Sequence, residues 1–260
     1  MSAVLTDKPA LPRKEKNMEL HINELVFEVT RKCNMHCAHC LRGEAENLDM
    51  PHRVIEKVLS QVASIDTVVF GGGEVSLVPE KLEELLETFR ASGTPVNGFY
   101  AVTNGKTVSD NFLVSMLHWY SFCGYEDDCS GLALSCDEFH EHIPEKNKML
   151  LRGFSFLREE DKKSDWKHAY LLNEGRAKNL TGYKKRELCA NDFNELEVDD
   201  NGNCWLEMAY ITCNGDVLST CDASYDDQER FKLGNVFDPD WVEKMVAHYD
   251  ATLCGDAEAV

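Results

Sequence analysis

The chain has 260 residues, of which 43% are hydrophobic, enough for one barrel-sized domain with a small appendage. Its 27 Lys and Arg against 46 Asp and Glu give a formal charge of −19, which argues against nucleic-acid and anionic-membrane partners. The acidity suits a basic peptide or protein partner, and it also serves solubility alone. No apolar run approaches the ~20 residues of a membrane span. Residues 1–17 carry four cationic side chains without an apolar segment, so no secretory signal is predicted.

The cysteine content indicates the compartment. Eleven cysteines in a chain without a predicted secretory signal argue against a disulfide framework and favour metal ligation in a reducing environment. The odd number also fits poorly with complete pairing. We therefore expect a cytoplasmic protein. Residues 1–20 contain prolines and scattered charges and are predicted to be disordered.

The predicted elements alternate between strand and helix. Apolar patterns predict strands at residues 25–30, 67–70, 96–102 and 132–135, and helices at 51–62, 79–92 and 111–120. Alternation of this kind predicts βα units, a parallel sheet and helices outside it. The following elements are a helix at 141–160, a strand at 166–172, a hairpin at 211–218 with an Asn-Gly turn, and a helix at 241–248.

Three cysteines follow the first predicted strand with the spacing C-x3-C-x2-C. They are Cys33, Cys37 and Cys40, called the loop cysteines below. Three thiolates on a short loop can hold three corners of a [4Fe–4S] cluster. The fourth iron then lacks a protein ligand and is open to a small molecule. The alternative is a zinc site that uses His36 or His39 as a further ligand.

Polar or glycine-rich segments follow the next three predicted strands. They are residues 71–74, Asn104 and residues 135–137. In a βα barrel the chemistry lies at these carboxyl ends of the strands. Each segment also has a structural interpretation, as a tight turn or a strand end. His140 and His142 are interpreted as solvated residues at the start of a helix rather than as metal ligands.

Together these motifs resemble the radical S-adenosylmethionine (radical SAM) superfamily. The loop cysteines have the spacing of its signature, and Gly72-Gly73-Glu74 is similar to its GGE motif. Residues 102–105 and 134–137 are similar to its third and fourth strand endings. The resemblance implies an α/β fold, a partial (β/α)6 TIM-like barrel with a small C-terminal α+β extension that contains cysteines. The expected divisions are a disordered segment at 1–20, the radical SAM core at 21–185 and the extension at 186–260.

The resemblance also implies the chemistry. SAM would chelate the open iron of a [4Fe–4S] cluster, and its reductive cleavage would give a 5′-deoxyadenosyl radical that abstracts hydrogen from a peptide, protein or other bulky substrate. A reducing partner such as flavodoxin or ferredoxin is implied. The alternatives are a small-molecule radical SAM enzyme and a non-enzymatic iron–sulfur or zinc protein that carries electrons or senses redox state. The sequence alone does not identify the substrate.

Roles for individual residues follow from the same resemblance. Gly72 and Gly73 would let the backbone approach the methionine of SAM, and Glu74 would add charge or support the turn. Asn104 and Ser135 are candidates for hydrogen bonds to SAM. A further candidate is Arg176, in a Gly-Arg-Ala segment, whose guanidinium could bind the SAM carboxylate. The alternative for this residue is a surface arginine in a loop.

The C-terminal third resembles a truncated SPASM or twitch extension. The spacing from Cys204 through Gly215 to Cys221 is one residue away from the opening of that module, and residues 233–236 are similar to its tail. Two auxiliary clusters are excluded by the small number of later cysteines. The alternatives are a hairpin without metal and one auxiliary cluster, with ligands drawn from Cys189, Cys204, Cys213, Cys221 and Cys254.

Overall fold

The computed structural model describes residues 19–159, 170–188 and 195–254, without side-chain placements for 159 and 250–254. Most of the segment predicted to be disordered, 1–20, lies outside the described residues. Five strands form the first half of the sheet: β1 (Leu20–Thr30), β2 (Val62–Gly72), β3 (Val96–Thr103), β4 (Gly131–Leu134) and β5 (Leu157–Glu159). Four helices connect or follow them: α1 (His52–Leu59), α2 (Pro79–Ser92), α3 (Asp110–Phe122) and α4 (Glu145–Leu151).

The remaining elements are short, apart from one long strand and the last helix. The strands are β6 (Leu171–Leu172), β7 (Lys185–Arg186), β8 (Leu196–Val198), β9 (Cys204–Ile211), β10 (Asp216–Leu218) and β11 (Lys232–Asn235). The helix α5 (Trp241–Cys254) follows β11. Three 3-10 helices lie at Val75–Leu77, Gly175–Asn179 and Tyr225–Phe231. Within the described residues, no helix is both long and apolar enough to cross a bilayer.

The main sheet has nine strands in the order β11-β10-β9-β1-β2-β3-β4-β5, with β8 beside β9. Strands β1 to β5 are parallel and follow one another in chain order, which confirms the predicted α/β class. Among the described residues, the path of the sheet ends at β5 and β11 and does not close into a barrel. The partial-barrel prediction is therefore confirmed, and the carboxyl ends of β1 to β4 lie along one edge.

The C-terminal extension joins this same sheet. Strand β9 pairs in parallel with β1, and β10 and β11 add antiparallel strands beyond it. The predicted hairpin is present, because β9 ends at Ile211, β10 begins at Asp216, and Gly215 takes φ 83° in the turn between them. The boundary near residue 185 stays a prediction, although the strands on either side of it are paired.

Helix α2 shows how closely local signals determine an element. Its bounds, Pro79–Ser92, are those predicted from the sequence. Pro79 occupies the first turn, where a missing N–H costs no hydrogen bond, and Gly93 ends the helix with φ 70°. The leucines of the apolar face, together with Phe89, are fully buried against the sheet: Leu82, Leu85 and Leu86.

The segment after β4 differs from the prediction. Residues 141–160 were expected to form one helix, but α4 covers only Glu145–Leu151 and β5 lies in the same segment. The side chain of Phe156 is buried and packs edge-to-face on Phe99, with ring centroids 5.5 Å apart. Packing against the sheet thus overrides the helical pattern. Of the strand expected at 166–172, residues 166–169 lie outside the described residues, and β6 pairs with β7 in a separate small sheet.

A buried polar network joins the extension to β1. The Glu28 carboxylate has no solvent exposure and accepts a hydrogen bond from Arg31 Nε at 2.6 Å. It also accepts hydrogen bonds from the Tyr210 hydroxyl at 2.9 Å and Gln228 Nε2 at 2.6 Å. Opposite charge and full hydrogen bonding offset the cost of burying this carboxylate. The network lies where β1 enters the cysteine loop, so the extension supports the base of that loop.

Candidate active site

One cavity of about 750 Å³ lies along the inner face of the sheet and reaches its carboxyl edge. It brings together the loop cysteines, which follow β1, and the predicted residues at the ends of β2, β3 and β4. The predicted residues that line it are Cys33, Cys37, Cys40, Gly72, Gly73, Glu74, Asn104 and Ser135. Arg176 is not among its lining residues. A cavity of this size falls in the usual range for small-molecule and cofactor sites.

The separation of the loop cysteines bears on what they can hold. Within the part of the chain that the structure describes, only one trio of Cys, His, Asp and Glu brings its ligand atoms within 4.8 Å of one another, and the loop cysteines are not that trio. Two thiolates bound to one tetrahedral zinc stand about 3.8 Å apart. At least one pair of the loop thiols is therefore more than 4.8 Å apart, which fits separate irons of a cluster better than a single zinc ion. The donor set and its place on the cavity wall therefore fit a [4Fe–4S] cluster.

Arg176 fastens the cysteine loop from outside the cavity. Its Nε donates a hydrogen bond to the Cys37 carbonyl at 2.9 Å, and its backbone N–H donates to the Cys40 carbonyl at 2.9 Å. A Cβ on the preceding Gly175 would lie 2.3 Å from the Leu41 carbonyl oxygen, so only glycine lets the two segments approach. The Gly-Arg-Ala segment thus packs directly on the loop. The guanidinium binds backbone there, whereas the sequence suggested that it reaches the SAM carboxylate.

The glycines at the end of β2 pack against the entry to the same loop. A Cβ on Gly72 would lie 2.1 Å from the Thr30 carbonyl oxygen, and one on Gly73 would lie 2.1 Å from the Lys32 carbonyl oxygen. The N–H of Gly73 donates to Thr30 O, and the N–H of Glu74 donates to Lys32 O, each at 2.7 Å. These glycines therefore have a structural role in seating the residues that precede Cys33.

Glu74 connects the ends of β2 and β3. Its carboxylate accepts hydrogen bonds from the Thr103 hydroxyl at 2.6 Å, the Asn104 N–H at 2.7 Å and the Ser76 N–H at 3.1 Å. The residue is 2% exposed, and burial raises the pKa of its carboxyl group. Both oxygens thus have partners within the chain. The turn-supporting role suggested by the sequence is the one that these contacts display.

Asn104 links the β3 end to the loop. Its Nδ2 donates a hydrogen bond to Asn34 Oδ1 at 2.9 Å and lies 3.9 Å from Cys33 Sγ. Lys106 Nζ donates to the Asn34 carbonyl at 2.8 Å. Burial raises the pKa of the Cys33 thiol in this environment. The contact places an amide donor beside the first loop cysteine, where it can stabilise a thiolate.

The end of β4 contributes a cluster that the sequence interpretation missed. His39 Nε2 lies 3.4 Å from Asp137 Oδ2, and His140 Nδ1 lies 2.6 Å from Asp137 Oδ1. His39 also stacks on Phe139, with ring centroids 4.6 Å apart. His140 is half-buried on the cavity wall, so the interpretation of this residue as solvated is wrong. The only sequence signal was the crowding of His and acidic residues after β4.

Charges in this cluster are strongly coupled. Burial lowers the pKa of His39. Burial also opposes the charge on His140, but its hydrogen bond to Asp137 and the nearby Cys37 sulfur outweigh it and raise its pKa to about 10. Burial opposes the charge of Asp137, yet its hydrogen bond to His140 lowers its pKa. Both shifts favour the charged forms of Asp137 and His140, whose side chains lie 2.6 Å apart.

Two of the described cysteines of the extension, Cys204 and Cys213, lie far apart along the chain of β9. Cys204 is the first residue of β9, which spans roughly 23 Å, and Cys213 lies two residues beyond its last residue, Ile211. Cys213 is buried and donates a hydrogen bond from its thiol to the Glu28 carbonyl at 2.9 Å, whereas half-buried Cys221 lines the cavity. One auxiliary cluster cannot use both ends of β9. Cys189 lies outside the described residues, and the side chain of Cys254 is not described.

Comparison with known proteins finds solved structures with a similar fold. No family model matches the sequence. No curated protein matches it either. Two solved structures match at a TM-score of 0.52 and 14% identity. One is hexahistidine-tagged anSMEcpe with bound AdoMet, which is SAM, and the match covers 86% of this chain and 80% of that chain. The other is native anSMEcpe with bound AdoMet and Cp18Cys peptide, with 89% and 82% covered.

A third match is weaker. The crystal structure of Streptococcus suis SuiB bound to S-adenosylmethionine has a TM-score of 0.47 and 13% identity, which is too distant to carry an argument. This chain therefore shares the fold of the anSMEcpe structures, and the α/β, partial-barrel fold expected from the sequence is confirmed.

Proposed function

We propose that the chain is a radical SAM enzyme whose [4Fe–4S] cluster is held by Cys33, Cys37 and Cys40. The observation that carries this proposal is the meeting of the loop cysteines with the Gly-Gly-Glu strand end on one cavity, in a fold shared with SAM-bound enzymes. When bound, the cluster supplies the electron that cleaves SAM to a 5′-deoxyadenosyl radical, which abstracts hydrogen from the substrate.

The side chains and backbone described above hold the cysteine loop in position. Arg176 and Gly175 fix the outer side of the cysteine loop, and Gly73 fixes its entry. Glu74 ties the β2 end to the β3 end, so that Asn104 keeps its amide beside Cys33. Preorganisation of this kind holds three thiolates in place before the cofactor arrives. Asn104 and Ser135 remain the candidates for polar contacts to SAM, because both line the cavity.

We infer that the substrate is a peptide or a protein segment. In the part of the chain that the structure describes, the sheet is open between β5 and β11, which suits a substrate larger than the cavity. The anSMEcpe neighbour was solved with a peptide beside its AdoMet. Apolar side chains from four strands line the inner face of the cavity: Val26, Val69, Val102 and Met208. A defined peptide library tests this inference. We expect at least one peptide to raise the rate of 5′-deoxyadenosine formation above the rate without substrate. A rate that no peptide changes would contradict the inference that the substrate is a peptide.

Anaerobic SAM cleavage tests the enzyme proposal. The chain is reconstituted with iron and sulfide, reduced with dithionite and given SAM, and 5′-deoxyadenosine is measured by chromatography. We expect product from the wild type and from the control variants Cys129→Ala and Cys204→Ala, which leave the loop intact. The triple variant Cys33→Ala/Cys37→Ala/Cys40→Ala should make none. Product from the triple variant, or none from the wild type, would overturn the proposal.

Iron analysis of the same samples counts the clusters. About four irons per chain are expected for one cluster. Cys204 begins β9 and Cys213 lies two residues beyond its end, so one auxiliary cluster cannot use both. If the chain holds a single cluster on the loop cysteines, the variants Cys204→Ala and Cys213→Ala should each keep the full iron content. A count near eight that falls in either variant would restore an auxiliary cluster. We expect the electrons to come from a flavodoxin or ferredoxin in a reducing, cytoplasmic compartment. SAM cleavage with such a protein in place of dithionite would test this expectation.

A further inference from the structure

His39, Asp137 and His140 form a compact donor trio on the wall of the cavity. Each offers one ligand atom, and these atoms lie within 4.8 Å of one another. Asp137 Oδ2 lies 3.4 Å from His39 Nε2, and Asp137 Oδ1 lies 2.6 Å from His140 Nδ1. All three residues are half-buried, and both histidines line the cavity. The trio uses none of the loop cysteines.

The local backbone holds these side chains in place. The N–H of Phe139 donates to Asp137 Oδ1 at 2.8 Å, which fixes the carboxylate within its own turn. The His39 ring is fixed by stacking on Phe139. Its Nδ1 is buried and has no hydrogen-bond partner among the described residues, while its Nε2 faces Asp137. Nδ1 is therefore a buried nitrogen that no described residue satisfies, and Nε2 is the nitrogen next to the Asp137 carboxylate.

The chemistry of the donors indicates the ligand. Two imidazoles and one carboxylate make up a common protein site for late first-row divalent metals, including zinc and ferrous iron. Such sites leave coordination positions open for water or substrate oxygens. In the absence of a cation, the same three side chains are expected to share protons, and this structure shows two histidines on one carboxylate.

We propose that His39, Asp137 and His140 bind one divalent transition-metal ion beside the cysteine loop. The cation takes one nitrogen from each imidazole and an oxygen of Asp137. Its open positions face the cavity because both histidines line it. There the ion can bind an oxygen of the substrate as a Lewis acid. The site goes beyond the proposed cluster chemistry and does not depend on it.

Zinc stoichiometry tests the proposal in the full-length chain. The chain is first loaded with its iron–sulfur cluster, then given excess Zn²⁺ and desalted, and its zinc and iron are counted by mass spectrometry. We expect one zinc per wild-type chain. The variants His39→Phe, Asp137→Asn and His140→Gln should bind zinc at least about tenfold more weakly, since each loses a ligand. His39→Phe keeps the ring that stacks on Phe139 and removes both nitrogens.

His142→Gln is the matched control, because this exposed histidine lies in the same segment and outside the trio. It should keep the full zinc content, and the iron count of every variant should equal that of the wild type. Zinc missing from the wild type, or lost equally in His142→Gln, would overturn the proposal.

A second measurement separates this site from the cysteine loop. The variant Cys33→Ala/Cys37→Ala/Cys40→Ala lacks the loop thiols that could bind zinc, and we expect it still to bind one zinc. Circular dichroism checks that this variant is folded. If the folded variant binds no zinc, the zinc belongs to the cysteine loop and the proposed site is refuted. Zinc bound by the wild type together with no 5′-deoxyadenosine would refute the enzyme proposal alone. SAM cleavage without zinc would refute the metal site alone.

Discussion

Arg176 donates a hydrogen bond from Nε to the backbone carbonyl of Cys37, 2.9 Å away, across 139 residues of chain. The guanidinium is 13% exposed and also pairs with Glu44 at 3.4 Å. A charged donor on a carbonyl fixes the position of a loop more firmly than a neutral donor does. The middle loop cysteine is thus held by a residue that lies outside the cavity.

Arg176→Ala should loosen the cysteine loop. Loss of a charge-assisted, largely buried hydrogen bond should lower the free energy of unfolding by about 1.5–3 kcal/mol, measured by urea denaturation of the cluster-free chain. The iron content after reconstitution should also fall. Arg90→Ala is the control, since this exposed arginine forms its ion pair with Glu87 on α2, and it should change stability by less than about 0.5 kcal/mol. Equal effects of the two changes would contradict the role given to Arg176.

Gly73→Ala should displace the entry to the loop. The added Cβ would lie 2.1 Å from Lys32 O and 2.8 Å from Lys32 C, so backbone must move. We expect a loss of more than about 3 kcal/mol of stability, together with a loss of bound iron. In Gly234→Ala the nearest atom to the new Cβ is 3.8 Å away, and stability should change by about 1 kcal/mol or less. Full iron in soluble Gly73→Ala protein would show that the loop tolerates the shift.

Glu74→Gln should weaken the connection between β2 and β3. A neutral amide can accept at only one of the two carboxylate positions, so a buried N–H donor loses its partner. The free energy of unfolding should fall by about 1–3 kcal/mol. SAM binding by the cluster-loaded variant should fall as well, measured by the change that SAM causes in the EPR spectrum. Glu87→Gln, on the exposed face of α2, is the matched change and should leave both quantities within error.

Asp49 makes the seating of the loop sensitive to acid. Burial opposes its charge, but hydrogen bonds from Lys32 Nζ at 2.5 Å and from Thr30 Oγ1 at 2.6 Å lower its pKa below 3.8. A carboxylate with a lowered pKa adds stability above the unfolded value, and this stability is lost as the pH falls through the folded value.

The cluster-free wild type should therefore lose more stability than Asp49→Asn as the pH falls from about 5 to about 2. This range spans the ordinary Asp pKa of 3.8. At about pH 7 the wild type should be the more stable of the two proteins. Urea midpoints across this range measure the difference. Curves that stay parallel would show that Asp49 does not contribute to the pH dependence.

Much of the fold was predictable because its signals are local. The bounds of α2 follow from Pro79, its apolar face and Gly93, all within one stretch of sequence. The loop cysteines and the Gly-Gly-Glu segment were predicted to share a site because parallel strands end at one edge, and they line one cavity. Their roles as ligands of a cluster and of SAM stay predictions.

The remaining features depend on contacts between distant segments. No local pattern shows that β9 pairs with β1, or that Arg176 binds the Cys37 carbonyl. The trio of His39, Asp137 and His140 was missed for the same reason, since a stretch of about 100 residues separates its first member from the others. The glycines of β2 were expected to make room for a ligand, whereas the contact they display is with Thr30 and Lys32.

The placement of β9 beside β1 also has a consequence for synthesis on the ribosome. The first strand would leave the exit tunnel long before its partner, residues 204–211, is translated. Until then the backbone N–H and C=O groups on one side of β1 have no strand to pair with. Glu28 also lacks the hydrogen bonds from Tyr210 and Gln228 that stabilise its buried carboxylate. We therefore expect the nascent chain to acquire iron late, after most of the polypeptide has emerged. Premature termination before Gln228 would yield a product that chaperones or proteases remove.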